Sequence, residues 1–348
     1  TYRPASSVSV ENLPGISVVV CAWNEYENLR QLLPLLLEQQ YPDFEVLVVD
    51  DRSDDGTFEL LRQESERHPN LRRIHIEQTP KHITAKKYAL TLGIRAAQKD
   101  VVLLTDADCR PASPGWIAAM TRCLGPGKDI VLGYSPYQRQ PGLLNAFIRF
   151  ETFFTALQYC SLALAGVPYM GVGRNLLYRR TLFLDNQGFN GHHHVMGGDD
   201  DLFVGRVATA ANTAVCLDPA SFVWSRPKTS WQSWYWQKRR HLSVGKLYQP
   251  RFRRILGLLS LSQVFTHLLF TVLVVAFALR RDGLWLGLTV GLFGLRLVAQ
   301  GVVYAAANRR LGGATSAWTV PFYDALLAGY YALMGSVTVF SRKKLKWR

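Results

Sequence analysis

Two carboxylates, Asp106 and Asp108, follow directly after the apolar run Val101–Thr105. Residues i and i+2 at the end of a strand point the same way, so both carboxylates can reach one hard cation. The carboxyl edge of a parallel sheet is also where open α/β folds bind ligands. The pattern therefore predicts a divalent cation held against a diphosphate, which it makes a better leaving group. A loop whose aspartates cap the next helix is the alternative explanation.

Three further polar groups occur in order along the chain. Asp50 and Asp51 come directly after an apolar segment, where a carboxylate can accept hydrogen bonds from a base or a ribose. Lys86 begins a helical pattern and can meet a phosphate as a point charge. The run Asp199–Asp201 follows two glycines, and mutual repulsion predicts that one of the three has an abnormal pKa or binds a cation. A raised pKa suits a general base, whereas simple stabilisation of a helix N-terminus is the alternative.

Apolar runs and helical patterns alternate through the first part of the chain. Strands are predicted at Ile16–Ala22, Phe44–Val49, Leu71–Ile76 and Val101–Thr105, the first two of them buried. Helices are predicted at Glu27–Gln40, from Ser53–Thr57 onward, and at Thr84–Ala97, Trp116–Leu124 and Leu143–Leu164. Asp54 and Asp55 are expected to cap the second helix. This alternation predicts an α/β fold with a doubly wound, mostly parallel sheet.

The basic residues are concentrated near the end of the chain. The formal net charge is +14, and from residue 249 onward 13 Lys and Arg stand against 2 Asp and Glu. They flank apolar segments, where contacts with anionic lipid headgroups are expected. A nucleic-acid-binding protein needs a basic face on its folded domain, so we expect no nucleic-acid partner. The 5 cysteines form no C-x-x-C pair and are expected to be free thiols; because the chain begins at Thr1 and not at Met, removal of an upstream segment stays an open alternative.

Three apolar stretches follow residue 254. Leu256–Leu279 and Leu284–Ala307 are 24 residues each, enough to cross a bilayer, and Phe322–Phe340 is a shorter third candidate. Arg296 and Asp324 lie inside these stretches and are predicted to meet or to line a polar cavity, because an unpaired charge there is costly. The number and orientation of the spans stay open, since three spans would break the positive-inside tendency.

The motifs are arranged as in a known family. Listed along the chain, they are Ala22-Trp23-Asn24-Glu25, Val49-Asp50-Asp51-Arg52-Ser53, Lys86-x-x-Ala89-Leu90, Asp106-Ala107-Asp108 and Gly198-Asp199-Asp200-Asp201-Leu202. Over about residues 14–245 the chain resembles a membrane-attached, inverting family 2 glycosyltransferase of the GT-A fold. The resemblance implies a nucleotide-sugar donor, with UDP as the expected nucleotide, and Mg²⁺ or Mn²⁺ as the cofactor.

The resemblance also implies which residues act. The nucleotide-sugar would be bound by Ala22, Asn24, Glu25, Asp51, Lys86, Asp106, Asn175, Gln237 and Arg240. Asp108 would hold the metal. In relatives the catalytic base is the Asp of a Glu-Asp pair, usually three residues before a Leu. Counting back from Leu202 gives Asp199 and reading the pair directly gives Asp200, so both are kept, with Asp199 favoured.

The resemblance is incomplete beside the membrane. Gln237 and Arg240 match the Gln-x-x-Arg-Trp motif of membrane-embedded relatives, but His241 replaces the aromatic residue. This departure disfavours a processive polysaccharide synthase, which stays the alternative to transfer of one sugar to a lipid or lipid-linked acceptor. A non-catalytic membrane scaffold that binds a sugar nucleotide is the alternative from another class.

The sequence predicts four regions. Residues 1–230 form the nucleotide-sugar-binding and catalytic domain, and 231–254, which mixes aromatic and basic residues, is an interfacial amphipathic segment. A transmembrane region of about three helices covers 255–341, and 342–348 is a basic tail. We expect an integral membrane protein whose catalytic domain lies at the cytoplasmic face, at a bacterial inner membrane. The oligomeric state stays open.

Overall fold

The computed structural model describes residues 13–312 and 317–340, with the backbone alone at 317 and 336–340. The predicted basic tail, 342–348, lies outside the described residues. The chain divides into two compact units. The first contains the residues up to Gln138 together with Phe154–Pro227, and the second contains Arg139–Phe153 and the residues from Lys228 onward. The four regions predicted from the sequence stay a prediction.

The first unit contains a mixed sheet. Its strands are β1 (Ile16–Ala22), β2 (Phe44–Asp51), β3 (Leu71–Ile76), β4 (Val101–Asp106), β5 (Cys109–Pro111), β6 (Ile130–Leu132), β7 (Leu176–Arg179), β8 (Thr213–Val215) and β9 (Val223–Ser225). Seven of them form one sheet in the order β3-β2-β1-β4-β7-β6-β8, and β5 pairs with β9. Strands β1 to β4 are parallel, whereas β7 runs antiparallel to both β4 and β6.

Helices connect the strands and continue the chain beyond the sheet. They are α1 (Tyr26–Leu37), α2 (Thr57–Arg67), α3 (Ala85–Ala96), α4 (Trp116–Arg122), α5 (Leu143–Leu164), α6 (Arg180–Asp185), α7 (Asp201–Val207), α8 (Trp231–Gly245), α9 (Pro250–Leu279), α10 (Gly283–Arg310) and α11 (Val320–Phe340). The predicted α/β fold with a mostly parallel sheet is confirmed.

The central strands are buried on both faces, which explains their apolar sequences. Every residue of β1 from Ile16 to Val20 is fully buried, and so are Val46–Val49 in β2 and Val101–Leu103 in β4. Such strands read as continuous apolar runs because helices cover both faces of the sheet. β2 and β4 extend beyond the predicted strands by the aspartates that follow them, so acidic side chains stand at the edge of the sheet.

One predicted element is divided. The segment from Trp231 to Arg254 was expected to be a single interfacial helix, but α8 ends at Gly245 and a new helix begins at Pro250. Glycine commonly ends a helix, and proline is favoured at the first helical position because its missing N–H would have no partner there. The basic residues after Pro250 therefore belong to the first turns of α9.

Two helices of the described chain are long and apolar enough to cross a membrane. They are α9, with 30 residues and a mean hydropathy of 2.0 over an apolar stretch of 18 residues, and α10, with 28 residues and a mean hydropathy of 1.7 over such a stretch. Large apolar side chains on both are exposed, for example Leu261 at 67% and Leu292 at 68%. The third predicted span lies in α11, whose last side chains are outside the described part, and it stays a prediction.

Arg296 and Asp324 meet, as predicted from the cost of an unpaired charge in an apolar helix. Arg296 Nη1 donates to Asp324 Oδ2 at 2.7 Å, and His267 Nε2 lies 3.2 Å from the same oxygen. The amides of Gln263 and Gln300 donate to Asp324 Oδ1 at 2.6 and 2.5 Å. The Asp324 side chain is fully buried, so this cluster ties α9, α10 and α11 together.

Removing only Arg296 from the Arg296–Asp324 ion pair is expected to lower the free energy of unfolding more than removing both residues. Arg296→Met leaves a buried carboxylate without its main counter-charge, which costs about 3–5 kcal/mol, whereas adding Asp324→Leu removes the charge as well. Thermal unfolding in detergent should show the single variant less stable than the double variant. Arg280→Met, at an exposed position, is the control. Additive losses from Arg296→Met and Asp324→Leu would contradict the prediction.

Candidate active site

The polar residues predicted to act lie at the carboxyl edge of the parallel strands. In the β1–β4 ladder Cys21 stands opposite Asp106, and in the β1–β2 ladder Ala22 stands opposite Asp50. The ends of β1, β2 and β4 are therefore level, and the loops that follow them emerge side by side. Ala22 itself is small and buried, at the end of β1.

Asn24 connects the loops after β1 and β2. It adopts φ of 56°, a left-handed conformation that Asn tolerates better than most residues. Its N–H donates to Ser53 Oγ at 2.9 Å, and its Oδ1 accepts from the N–H of Asp54 at 2.9 Å. Asp55 accepts hydrogen bonds from Thr57 N and, through its other oxygen, from Tyr26 N. The N-cap of α2 is Gly56, so Asp54 and Asp55 do not occupy the predicted capping position, although Asp55 binds the first N–H of the helix.

Asp51 lies at the end of β2, with a side chain only 9% exposed. Its Oδ1 accepts from Arg52 Nε at 2.8 Å and from Thr79 Oγ1 at 3.3 Å. The neighbouring Asp50 faces His75, whose Nδ1 is 2.8 Å from its Oδ2. Asp51 is thus the more exposed carboxylate of this pair, and its contact with the donor stays a prediction.

Lys86 joins two motifs that are far apart in the sequence. Its Nζ donates to Asp106 Oδ1 at 3.0 Å and lies 3.4 Å from Asp199 Oδ2. Burial acts to lower the pKa of Lys86, but the charges of Asp106, Asp199 and Asp200 outweigh it and raise the pKa above its usual value. The ammonium is therefore held in its charged form between the strand-end carboxylate and the acidic run.

Asp108 carries negative charge with little compensation. Burial, and then the charge of Asp106, raises the pKa of Asp108, while Arg174 acts in the opposite direction. Burial also raises the pKa of Glu25, and the charges of Asp108 and Asp106 add to this effect. These oxygen ligands suit a hard divalent cation, which would relieve the repulsion. No group of three His, Cys, Asp or Glu side chains in the described chain is arranged around one cation position.

Asp200 is fixed by the backbone. Its Oδ2 accepts from Gly173 N at 2.7 Å and its Oδ1 from Asp201 N at 2.8 Å, at the start of α7. A Cβ on Gly173 would come within 3.3 Å of Asp200 Oδ2, so glycine allows this close approach. Burial and the charge of Asp199 raise the pKa of Asp200, which confirms that one of the three adjacent carboxylates titrates abnormally.

The remaining predicted residues lie elsewhere. Asn175 is fully buried, and its side chain is engaged by Trp116 Nε1 and by the carbonyls of Tyr134 and Ser221. Its predicted contact with the donor stays a prediction, although these bonds give it a structural role. Gln237 and Arg240 lie on α8, in the second unit.

Arg174 is a site residue that the sequence did not reveal. Its guanidinium lies over the ring of Tyr137 at 4.6 Å, and its charge acts on Asp108. The buried Nη1 has no hydrogen-bond partner in the described chain. The signal in the sequence was its place next to Asn175 in the glycine-rich stretch Gly171–Asn175.

Lys87, next to Lys86, was also missed. It is 1% exposed, and its Nζ donates to the carbonyls of His192 and Val195 at 2.7 and 2.8 Å. These carbonyls belong to the loop that leads to Asp199, which ends in two glycines with φ of 81° and 72°. Lys86 and Lys87, adjacent in α3, therefore bind different groups. The Lys86 ammonium contacts the carboxylates of Asp106 and Asp199, and the Lys87 ammonium binds the loop that leads to Asp199.

Solved and curated proteins are similar to this chain. The mannosyltransferase PcManGT from Pyrobaculum calidifontis, solved in complex with GDP-Man and Mn²⁺, superposes with a TM-score of 0.60 at 19% identity, covering 98% of this chain and 92% of that chain. This likeness shows that the two proteins share the GT-A fold.

Sequence comparison identifies the family. Glycosyltransferase AglE of Haloferax volcanii is 31% identical over 189 residues, 54% of this chain and 59% of AglE. The probable glycosyltransferase YdaM of Bacillus subtilis is 26% identical over 265 residues, 69% of this chain and 57% of YdaM. The chain thus spans less than two thirds of the length of these relatives.

Residues 14–243 match the sequence model of glycosyltransferase like family 2, well over half of the chain. The chain therefore belongs to this family, and the resemblance found in its motifs is confirmed, as is its class, that of the glycosyltransferases.

The buried Lys87 predicts a specific pH dependence of stability. Burial lowers its pKa from 10.5 to about 8, against the opposing charges of Asp199 and Asp200. Between these pH values the unfolded chain keeps a proton that the folded chain has lost, so stability rises with pH. Over this range the wild type should gain up to roughly 3 kcal/mol relative to Lys87→Met.

The measurement is the unfolding midpoint of both proteins between pH 7 and pH 10.5. Lys81→Met removes an exposed lysine of the same unit and is the matched control. Parallel pH profiles for the wild type and Lys87→Met would show that the buried ammonium does not titrate in this range.

Proposed function

We propose that this protein is an inverting, metal-dependent glycosyltransferase that moves one sugar from a nucleotide-sugar to a lipid or lipid-linked acceptor at a membrane surface. The observation that carries the proposal is the position of Lys86, within salt-bridge distance of both Asp106 and Asp199. This contact joins the motif expected to hold the donor diphosphate to the motif expected to supply the base. A non-catalytic scaffold that only binds a sugar nucleotide does not need a contact between the donor-binding motif and the motif of the base.

The order of the strands gives the order of the donor groups along the sheet edge. The nucleoside would lie over the ends of β1 and β2, beside Asn24 and Asp51, and the diphosphate over the end of β4. The sugar would then lie on the other side of β4, toward β7, where Arg174 and the acidic run stand. The unpartnered Nη1 of Arg174 would donate to a sugar hydroxyl or to a phosphate oxygen.

A divalent cation suits this arrangement. Burial, and after it the charge of Asp106, raises the pKa of Asp108, and a cation would relieve both costs; Asp108 would hold it together with diphosphate oxygens. When bound, Mg²⁺ or Mn²⁺ neutralises charge that develops on the diphosphate as it leaves. The presence of Mn²⁺ with GDP-Man in the similarly folded PcManGT supports this assignment.

The protein's own residues would carry the proton and orient the donor. Asp199 would accept a proton from the acceptor hydroxyl, whose oxygen attacks the anomeric carbon opposite the diphosphate. Lys86 would shift from the carboxylates to the diphosphate and stabilise its growing charge. Asp200 is bound by two backbone N–H groups and is better suited to fixing the start of α7, so Asp199 is the favoured base. A single displacement inverts the anomeric configuration.

The acceptor is proposed from the second unit. The exposed apolar surfaces of α9 and α10 fit two membrane-spanning helices, and the basic residues Arg251, Arg253 and Arg254 stand in the first turn of α9, where lipid phosphates would be. An acceptor that meets a site held at this surface is itself a lipid or is attached to one. The cytoplasmic orientation, and the roles of Gln237 and Arg240 in closing the site, stay predictions.

Removal of the base is expected to abolish transfer while donor binding persists. Asp199→Asn should lower kcat by about 10²–10⁴-fold, because a positioned general base contributes this much. Asp200→Asn is expected to have a smaller effect through the start of α7. Asp201→Asn, the next carboxylate in the run, is the matched control.

The assay follows release of nucleoside diphosphate from a panel of sugar nucleotides in native membranes, and NMR of the product gives the anomeric configuration. Wild-type turnover in both Asp199→Asn and Asp200→Asn would refute the assignment of the base. A product that retains the donor's configuration would refute direct displacement.

A further inference from the structure

An apolar groove lies within the second unit, between the first turns of α5, the start of α8 and the middle of α11. Its volume is about 460 Å³, within the range of small-molecule sites, which is about 300–1,000 Å³. Phe147, Trp234 and Tyr330 line it in mutual contact, with ring centroids 5.6 Å apart for Phe147–Trp234 and for Trp234–Tyr330. None of its lining residues is charged.

The rim of the groove is apolar and exposed. Leu143, Trp231 and Leu333 are among its lining residues and are exposed by 53%, 52% and 61%. An exposed apolar patch of this kind marks a site for a ligand, a membrane or a partner. In the same unit α9 and α10 expose apolar side chains along lengths that can cross a bilayer, so a hydrocarbon chain is the most available occupant.

One lining residue also needs a hydrogen-bond acceptor. Trp234 is 6% exposed, and its indole Nε1 is buried with no partner in the described chain. The indole N–H can only donate, and leaving a buried donor unpaired costs about 1–3 kcal/mol. An occupant that is apolar along its length but carries an oxygen near one end would satisfy it.

A buried ion pair lies one helical turn beyond the lining residues of the groove. Glu151 follows Phe147 by four residues on α5, and Lys238 follows Trp234 by four residues on α8, so each lies on the same helix face as the groove residue. Lys238 Nζ donates to Glu151, and the two side chains are 12% and 10% exposed. Along both α5 and α8, apolar residues are thus followed by a buried charged residue. A lipid has the same order, with a hydrocarbon chain followed by a polar headgroup.

We propose that this groove binds the hydrocarbon chain of the lipid acceptor, with an oxygen near the head of that chain accepting the hydrogen bond from Trp234 Nε1. The inference rests on the proposed function, in which the acceptor is a lipid. It adds where the chain of that lipid is held, and it requires that the site select one lipid class from the membrane.

Photocrosslinking in native membranes tests this selection. A benzoylphenylalanine replaces Leu333 at the groove rim or, as a control, Val298, which is 64% exposed on α10. Mass spectrometry of the attached molecules should show one lipid class enriched about tenfold or more at the groove relative to α10, a difference of about 1.4 kcal/mol. Equal proportions at both positions would mean bulk membrane lipid only, and crosslinks to a second copy of the chain would mean a dimer interface; either result overturns the proposal.

Two glycine variants on α11 test whether filling the groove displaces the lipid: one places a side chain in the groove, and the other places it outside the groove. Gly329 lines it, and a Cβ there meets nothing within 4 Å, so Gly329→Leu can occupy the space without backbone strain. Gly335, on the same helix but not among the lining residues, is equally open, and Gly335→Leu is its control. Gly329→Leu should lose the enriched lipid while Gly335→Leu keeps it, and loss in both or in neither would contradict the proposal.

Trp234→Phe keeps the aromatic ring and removes the donor, so retention of the lipid should fall by about fivefold through the lost hydrogen bond. Stabilisation by nucleotide with Mn²⁺ should be the same in the wild type and in the Gly329→Leu variant. If the wild type binds nucleotide but enriches no lipid, the groove proposal alone fails. If it enriches a lipid but no nucleotide stabilises it, the transferase proposal fails.

Discussion

Several carboxylates are brought together at one edge of the sheet, and their negative charges repel one another. This electrostatic repulsion is the constraint on which the active site depends. The level ends of β1, β2 and β4 bring Asp106 and Asp108 close to Glu25. Burial raises the pKa of Asp108 and of Asp200, so negative charge here is costly. The ammonium of Lys86 offsets part of this cost, and the guanidinium of Arg174 acts on Asp108 as well. An arrangement with more negative charge than the protein itself compensates is suited to a ligand that arrives with a cation.

The first turns of α3 place that ammonium and also hold the loop opposite it. Lys86 and Lys87 are adjacent, so their side chains leave the helix in different directions. One reaches the carboxylates, and the other reaches two backbone carbonyls before Asp199. Burial lowers the pKa of Lys87, and the charges of Asp199 and Asp200 oppose this effect only in part, while its hydrogen bonds satisfy the buried donors. The distance between the two halves of the active site is therefore set by one short stretch of helix.

Much of this arrangement was predictable from the sequence, because the physical signals were local. β1 and β3 have the predicted bounds; β1 is an apolar run because it is buried on both faces, whereas β3 is buried only at Leu71 and Ile76. The pairing of Arg296 with Asp324 followed from the cost of a lone charge among apolar residues. Lys87 and Arg174 were missed because a lysine in a helix and an arginine in a glycine-rich stretch are equally typical of solvated surfaces. Only the tertiary structure shows which carbonyls and carboxylates they face, and it likewise shows that Asn175 is engaged inside the core.

The most direct test of a metal-dependent donor site is the thermal stability of the detergent-solubilised protein with UDP, GDP, CDP and dTDP, each with and without Mn²⁺. A ligand at a hundredfold excess over its Kd stabilises the native state by about 2.7 kcal/mol, which is readily measured. We predict that one nucleotide raises the unfolding temperature only with Mn²⁺, and that Asp108→Asn abolishes the increase. No stabilisation by any nucleotide, or an equal increase after removal of divalent cations, would contradict this.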